Sequence, residues 1–104
     1  MLNKLTDILE KDPKALLKKF KKKEIIQLKG DTQAYTYYVK KGLLRSYLID
    51  SKGKEHIFSF APEGWVIADV ESLEFKQEAE LYIDCLEDSE VIIFDRDYLF
   101  NRLT

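Results

Sequence analysis

From Glu24 to Phe94 the chain is broken by turn signals roughly every ten residues, and between the breaks apolar residues recur at every second position. Ile26 and Leu28 alternate with Gln27 and Lys29, and Gly30-Asp31 ends that segment. Tyr35-Thr36-Tyr37-Tyr38-Val39 is rich in β-formers, Lys40-Lys41-Gly42 reads as a hairpin turn, and Leu43 to Ile49 reads as the return strand. Asp50-Ser51-Lys52-Gly53 makes the next turn, and His56 to Phe60 the next strand. A Pro62-Glu63-Gly64 break leads to a short segment, Trp65 to Val70. A polar excursion through Glu74 and Lys76 then precedes two closely spaced strands between Leu81 and Phe94. Short strands at this spacing predict an all-β sandwich or barrel.

The period changes at both ends. Leu2, Leu5, Ile8 and Leu9 recur at helical spacing, with Lys4, Asp7 and Glu10 on the other side. Asp12-Pro13 suits the cap and first position of a second short helix, with Leu16, Leu17 and Phe20 as its apolar face. Beyond Phe94, an Asp95 cap followed by Leu99, Phe100 and Leu103 suggests the start of another helix. The predicted organisation is one domain over residues 1–104: helices in 1–22, the β-rich body in 23–94 and a helix start in 95–104.

With 45% hydrophobic and 35% charged residues in 104, the composition is that of a soluble globular chain with one core. No apolar run approaches the ~20 residues needed to span a bilayer, and no signal peptide is expected. One cysteine, Cys85, excludes an internal disulfide and fits a reducing, cytoplasmic setting. The net charge of -2 conceals an asymmetry: residues 1–54 carry 14 basic and 6 acidic residues, and residues 55–104 carry 3 and 13. Such halves could attract each other within the fold or across a dimer. They do not give the overall basic surface of a nucleic-acid binder. The run Lys14, Lys18, Lys19, Lys21, Lys22 and Lys23 reads as a solvated helix face and entry loop.

Catalytic and metal chemistry find little support. His56 is the only histidine, and Glu55 beside it points to the opposite strand face, so His56 reads as a half-buried structural residue. Cys85 lies in the Leu81-Ile83-Cys85 alternation and is expected to be buried and inert. The serines lack a Gly-x-Ser-x-Gly context, and the many paired acids are expected as solvated surface. The chain is read as a non-enzyme with no metal site. Trp65 is expected as a core anchor beside Gly64, and Tyr35 and Tyr37 as a packing stripe. Asp69 reads in two ways, as an acceptor for a ligand hydroxyl or amine and as the N-cap of a short helix starting at Val70.

A turn that lines up backbone N–H groups at a short helix start forms an anion cradle. The layout from Phe60 to Val91 resembles the phosphate-binding cassette of cyclic-nucleotide-binding domains. With Gly30-Asp31, Tyr37-Tyr38-Val39, Lys41-Gly42, Asp50, Gly53-Lys54-Glu55, Gly64, Asp69 and Glu90-Val91, the chain is similar over about 60 residues to the sensor domains of the Crp/Fnr transcription regulators. That resemblance implies an antiparallel β-roll, a jelly roll (double-stranded β-helix) flanked by short helices.

In the family a Gly-Glu pair opens the cassette helix and its Glu holds the ribose; ten residues beyond that Glu, an Arg followed by Ser or Thr holds the cyclic phosphate. A gapless match places Ala68-Asp69 on the first pair and Ala79-Glu80 on the second. The chain looks like a branch of the family that lacks the phosphate Arg. The resemblance implies a ligand site at Gly64, Ile67, Ala68, Asp69, Val70, Ala79 and Glu80, facing an unidentified small-molecule effector. No cofactor is expected, and the substituted pair argues against cyclic AMP or cyclic GMP. In the family the final segment leads into a dimer helix and then a helix-turn-helix. A homodimer through Leu99, Phe100 and Leu103 is therefore expected, with DNA contacted only by a domain outside these 104 residues. The runner-up is a β-roll that binds a small molecule or a protein with no link to transcription.

Overall fold

The computed structural model describes the backbone of residues 2–103 and the side chains of residues 5–98 and of Asn101. After helix α1 (Leu2–Glu10) come strands β1 (Leu16–Phe20), β2 (Ile25–Gln27), β3 (Thr36–Lys41), β4 (Leu43–Ile49), β5 (Glu55–Pro62) and β6 (Val66–Ala68). Helix α2 (Val70–Glu74), strands β7 (Tyr82–Cys85) and β8 (Ser89–Phe94), and helix α3 (Arg96–Leu103) complete the chain. The strands form two four-stranded antiparallel sheets, ordered β1-β8-β3-β6 and β2-β7-β4-β5. First pairs with last, second with seventh, third with sixth and fourth with fifth. The chain is thus a long hairpin rolled up on itself, the jelly roll that the resemblance implied.

The tip of that hairpin is the Asp50–Gly53 turn. Asp50 Oδ1 accepts the N–H groups of Lys52 and Lys54 at 2.9 and 3.0 Å, which closes the loop between β4 and β5. At Gly42 the structure corrects the sequence reading. Lys40-Lys41-Gly42 does not close a hairpin, because β3 and β4 belong to different sheets and the chain crosses between them there. Gly42 has φ +105°, and a Cβ on it would lie 2.7 Å from Ser89 Cβ and 2.8 Å from Asp88 O. Alternation identifies strands but says nothing of which sheet each joins.

Tyr37, Val39, Leu44, Ala61, Ile67, Ile83, Cys85 and Val91 meet between the sheets as the main core. Strand β3 is buried on both faces. Its neighbour side chain Tyr38 points outward and packs with Leu9, Ile92 and Phe94 beneath α1, where Thr6 and the Tyr38 hydroxyl lie 2.8 Å apart. Helix α1 therefore follows its predicted apolar stripe at Leu5, Ile8 and Leu9; Leu2 falls outside the described side chains.

The second predicted helix does not form. Asp12 Oδ1 accepts the Lys14 N–H at 2.8 Å and makes a turn, after which Leu16–Phe20 pairs with β8 from Leu16↔Ile93 to Phe20↔Ser89. The 16, 17, 20 spacing suited a helix face, but a continuous ladder to β8 outweighs a weak helical preference. Only Phe20 reaches the core; Leu16 and Leu17 are 58% and 52% exposed on this edge strand.

Candidate functional site

The Pro62–Gly64 turn is locked onto β3. The Gly64 N–H donates to Val39 O at 2.7 Å, the Val39 N–H donates to Trp65 O at 2.9 Å, and Gly64 adopts φ +88°. Strand β6 then pairs with β3, opposing Ile67 to Tyr37 and sending both side chains into the core. Trp65 is left 61% exposed and is not the core anchor expected, because the core-facing position beside the turn goes to Ile67.

Asp69 follows β6 and caps α2. One carboxylate oxygen accepts the Ser72 N–H at 3.3 Å; the other accepts the N–H groups of Glu80 and Leu81 at 2.7 and 2.9 Å. Asp69 is 2% exposed. At that burial, with three N–H bonds already accepted, the carboxylate presents almost no surface to a ligand hydroxyl. The N-cap half of the sequence reading describes what the carboxylate does here.

Ala79 is 1% exposed and clamped by its backbone: its N–H donates to Asp31 O at 2.9 Å, and its carbonyl accepts the Gly30 N–H at 2.7 Å. The structure therefore brings Asp69, Ala79 and Glu80 together, as the gapless match requires. It does so through backbone contacts, with the Glu80 side chain exposed. Gly64, Ile67 and Ala68 lead into this knot, while Val70 is 63% exposed on the first turn of α2. Behind the knot the Tyr37 hydroxyl donates to Gln27 Oε1 at 3.0 Å, and Gln27 Nε2 donates to Leu81 O at 2.9 Å. Burial, helped by the nearby Asp31, pushes the Tyr37 phenol far above its usual range, so it stays a donor at any working pH.

Sequence reasoning missed a polar network on the outer face of the second sheet. Arg45 forks onto Asp84 at 2.7 and 3.0 Å and reaches Glu55 at 3.1 Å. The same guanidinium lies 4.3 Å from the Tyr47 ring centroid, and Tyr47 stacks on Tyr82 at 5.4 Å. Arg45 and Tyr47 stand two apart on β4 and Tyr82 and Asp84 two apart on β7, so alternation could have put each pair on one face, though not side by side. Asp84, Glu55 and the Tyr47 ring together engage all three guanidinium nitrogens and one guanidinium face, which makes this a structural tie.

The remaining candidates fall as follows. Cys85 is buried, its thiol 2.9 Å from Lys21 O, and burial pushes its pKa up, as an inert cysteine requires. His56 is exposed rather than half-buried, and its Nε2 sits 2.8 Å from Asp50 Oδ2 at the hairpin tip. The reason is position: β5 is an edge strand, and His56 lies where the hairpin projects beyond the core. Among the described residues, no group of three or more His, Cys, Asp or Glu is placed to hold a metal ion, and no helix is long and apolar enough to cross a membrane. Leu99, Phe100 and Leu103 belong to α3, but their side chains lie outside the described residues.

The roll, the capped helix after β6 and the strap at residues 79–81 agree with a family model, the cyclic nucleotide-binding domain, which matches residues 17–104. The chain belongs to that family. No curated protein matches it by sequence. Among solved structures it is similar to the sensor domain of the transcriptional regulator DNR from Pseudomonas aeruginosa, with TM-score 0.77 and 17% identity over 92% of this chain and 62% of that one. It is similar also to the Thermus thermophilus catabolite activator protein, with TM-score 0.74 and 19% identity over 94% and 45%. A third neighbour is the cAMP-bound form of the EAL enzyme Bd1971, with TM-score 0.69 and 23% identity over 84% and 23%. The chain thus spans 62% or less of each of these proteins. Identities at this level show a shared fold. The fold is that of the Crp/Fnr sensor domains.

Proposed function

We propose that this chain is the effector-sensing domain of a Crp/Fnr-type transcription regulator whose nucleotide cassette is closed by its own carboxylate. The observation that carries the reading is Asp69: the N–H groups of Ser72, Glu80 and Leu81, the donors an anion would meet, are already bonded to it. In the gapless match Ala79 and Glu80 stand where the family has its phosphate-binding Arg and hydroxyl. Losing a buried Arg–phosphate contact typically costs about 2–5 kcal/mol. A micromolar ligand starts near about -8.2 kcal/mol, so that loss alone leaves affinities approaching millimolar. The effector is then a different small molecule. The domain acts in the cytoplasm, without catalysis of its own, as a homodimer joined through the helix that begins with α3.

A second reading has an observation of its own. The similarity to Bd1971, an EAL enzyme, allows the same roll to regulate an attached enzyme instead of a DNA reader. Sequence-specific DNA binding by the full-length gene product, measured by electrophoretic mobility shift on its own promoter, supports the regulator. An enzymatic output domain in that product would overturn it.

A further inference from the structure

On the flank of α2 away from Asp69, a cleft of ≈ 1120 Å³ is bounded by β1, the segment 31–36, α2 and the start of α3. Asp69, Ala79 and Glu80 are not in its lining, but it adjoins the cassette, because Ser72 and Asp31 line it and bond through their backbones to Asp69 and Ala79.

Two features of the lining point to a ligand. Thr36 and Ser72 both line it, 4% and 1% exposed, and among the described residues neither hydroxyl has a hydrogen-bond partner. Buried hydroxyls are nearly always paired, and an orphan is a cost the free protein carries. The second feature is charge. The ammonium groups of Lys14, Lys18 and Lys76 line the cleft without an ion-pair partner among the described residues. Asp31, Asp95 and Asp97 line it too; among the described residues the Asp31 carboxylate accepts only the neutral Leu28 N–H, at 3.0 Å, and that of Asp95 the Asp97 N–H, at 2.9 Å. Opposite charges thus share one cleft and remain apart. Only Arg96 and Glu74 meet, at 2.8 Å, and that pair ties α3 to α2.

We propose that this cleft is a binding site for an amino-acid-type zwitterion, a free amino acid or a short peptide. Its ammonium faces Asp31 and Asp97; its carboxylate faces the lysines and takes hydrogen bonds from Thr36 and Ser72. A purely anionic or cationic ligand would be attracted by half of the rim and repelled by the other half. The volume is slightly above the usual range of small-molecule sites, which leaves room for a side chain against Leu16, Ile26 and Ile93. A ligand seated there would also brace α2 against α3, the two elements that the Arg96–Glu74 pair joins. The inference goes beyond the reading of the cassette and does not depend on whether cyclic nucleotides bind.

The test is a thermal-shift screen of the protein against the common amino acids and unblocked dipeptides, followed by calorimetry on any that raise Tm. At least one is expected to bind saturably, and its N-acetylated and C-amidated forms are expected to fail. Thr36→Val with Ser72→Ala removes both hydroxyls without removing volume that the core needs. It should weaken that binding about a hundredfold or more while the Tm of the free protein does not fall. Absence of binding by every compound would overturn the proposal. So would a ligand indifferent to the double substitution, or blocked forms that bind as well as the zwitterion.

Discussion

The two sides of helix α2 treat buried polar atoms in opposite ways. At its N-terminus Asp69 accepts three N–H donors, whereas among the described residues Ser72 Oγ on its flank has no partner, and Thr36, which lines the same cleft, has none for its hydroxyl either. The three bonds make the first side a structural joint. Incomplete pairing on the second leaves hydrogen-bonding capacity unspent. In the proposed reading, a chain keeps the frame of a ligand-binding cassette, closes it with one of its own carboxylates, and leaves unpaired hydroxyls in a neighbouring cleft.

That contrast breaks first at Asp69. Asp69→Ala leaves three N–H groups unpaired, one buried and two part-buried, and stability should fall by about 3 kcal/mol in urea denaturation. A loss under ~1 kcal/mol would mean that water already reaches the joint. Next in size is Ala79→Arg with Glu80→Ser, which restores the family pair on the sequence. Position 79 is 1% exposed, so the new guanidinium must displace the atoms packed around it, and the cost should be about 2–3 kcal/mol. An unchanged denaturation midpoint would reveal an open cavity behind Ala79. On the other flank the sign reverses. Thr36→Val with Ser72→Ala removes orphaned hydroxyls and should raise stability by up to about 1 kcal/mol; a clear loss would show that both oxygens already have partners.

Smaller still is Arg96→Ala. The pair with Glu74 is part-exposed, with side-chain exposures of 26% and 62%, so it is worth about 0.5 kcal/mol at most. Its removal should be visible mainly as faster amide exchange in α3. The smallest effect is a control far from α2. The hydrogen bond from His56, then the Lys54 and Lys52 N–H groups, hold the Asp50 carboxyl below its ordinary value. A depressed carboxyl contributes stability above its unfolded pKa and loses it as pH falls through the folded value. His56→Ala should move the Asp50 titration upward by NMR and leave both sides of α2 untouched.

Much of this was legible in the residues. The alternation from Ile26 to Phe94 identifies most strands, and Asp69 before Val70 has the chemistry of a cap whatever its family. Strand β1 was not legible. A lysine-rich segment with Leu16, Leu17 and Phe20 satisfies a helical stripe as well as a strand, and only its ladder with β8 decides between them. The partition of β3 and β4 into different sheets was hidden for a similar reason, since a turn at Gly42 looks the same whether the chain returns or crosses. At the site, the register that joins Asp69 to Ala79-Glu80 comes from the gapless match to the family's cassette. Its closure does not, because the Glu80 and Leu81 donors belong to the backbone and every residue type carries one. Thr36 and Ser72 gave no signal at all, since an orphaned hydroxyl is defined only by the partners that folding withholds.

The central claim is that the cradle is already filled from within, and calorimetric titration with cyclic AMP and cyclic GMP tests it most directly. The account predicts no saturable heat for either nucleotide up to about millimolar concentration. A dissociation constant below about 10 μM for either one would contradict it, because that affinity requires a phosphate to reach donors that Asp69 holds.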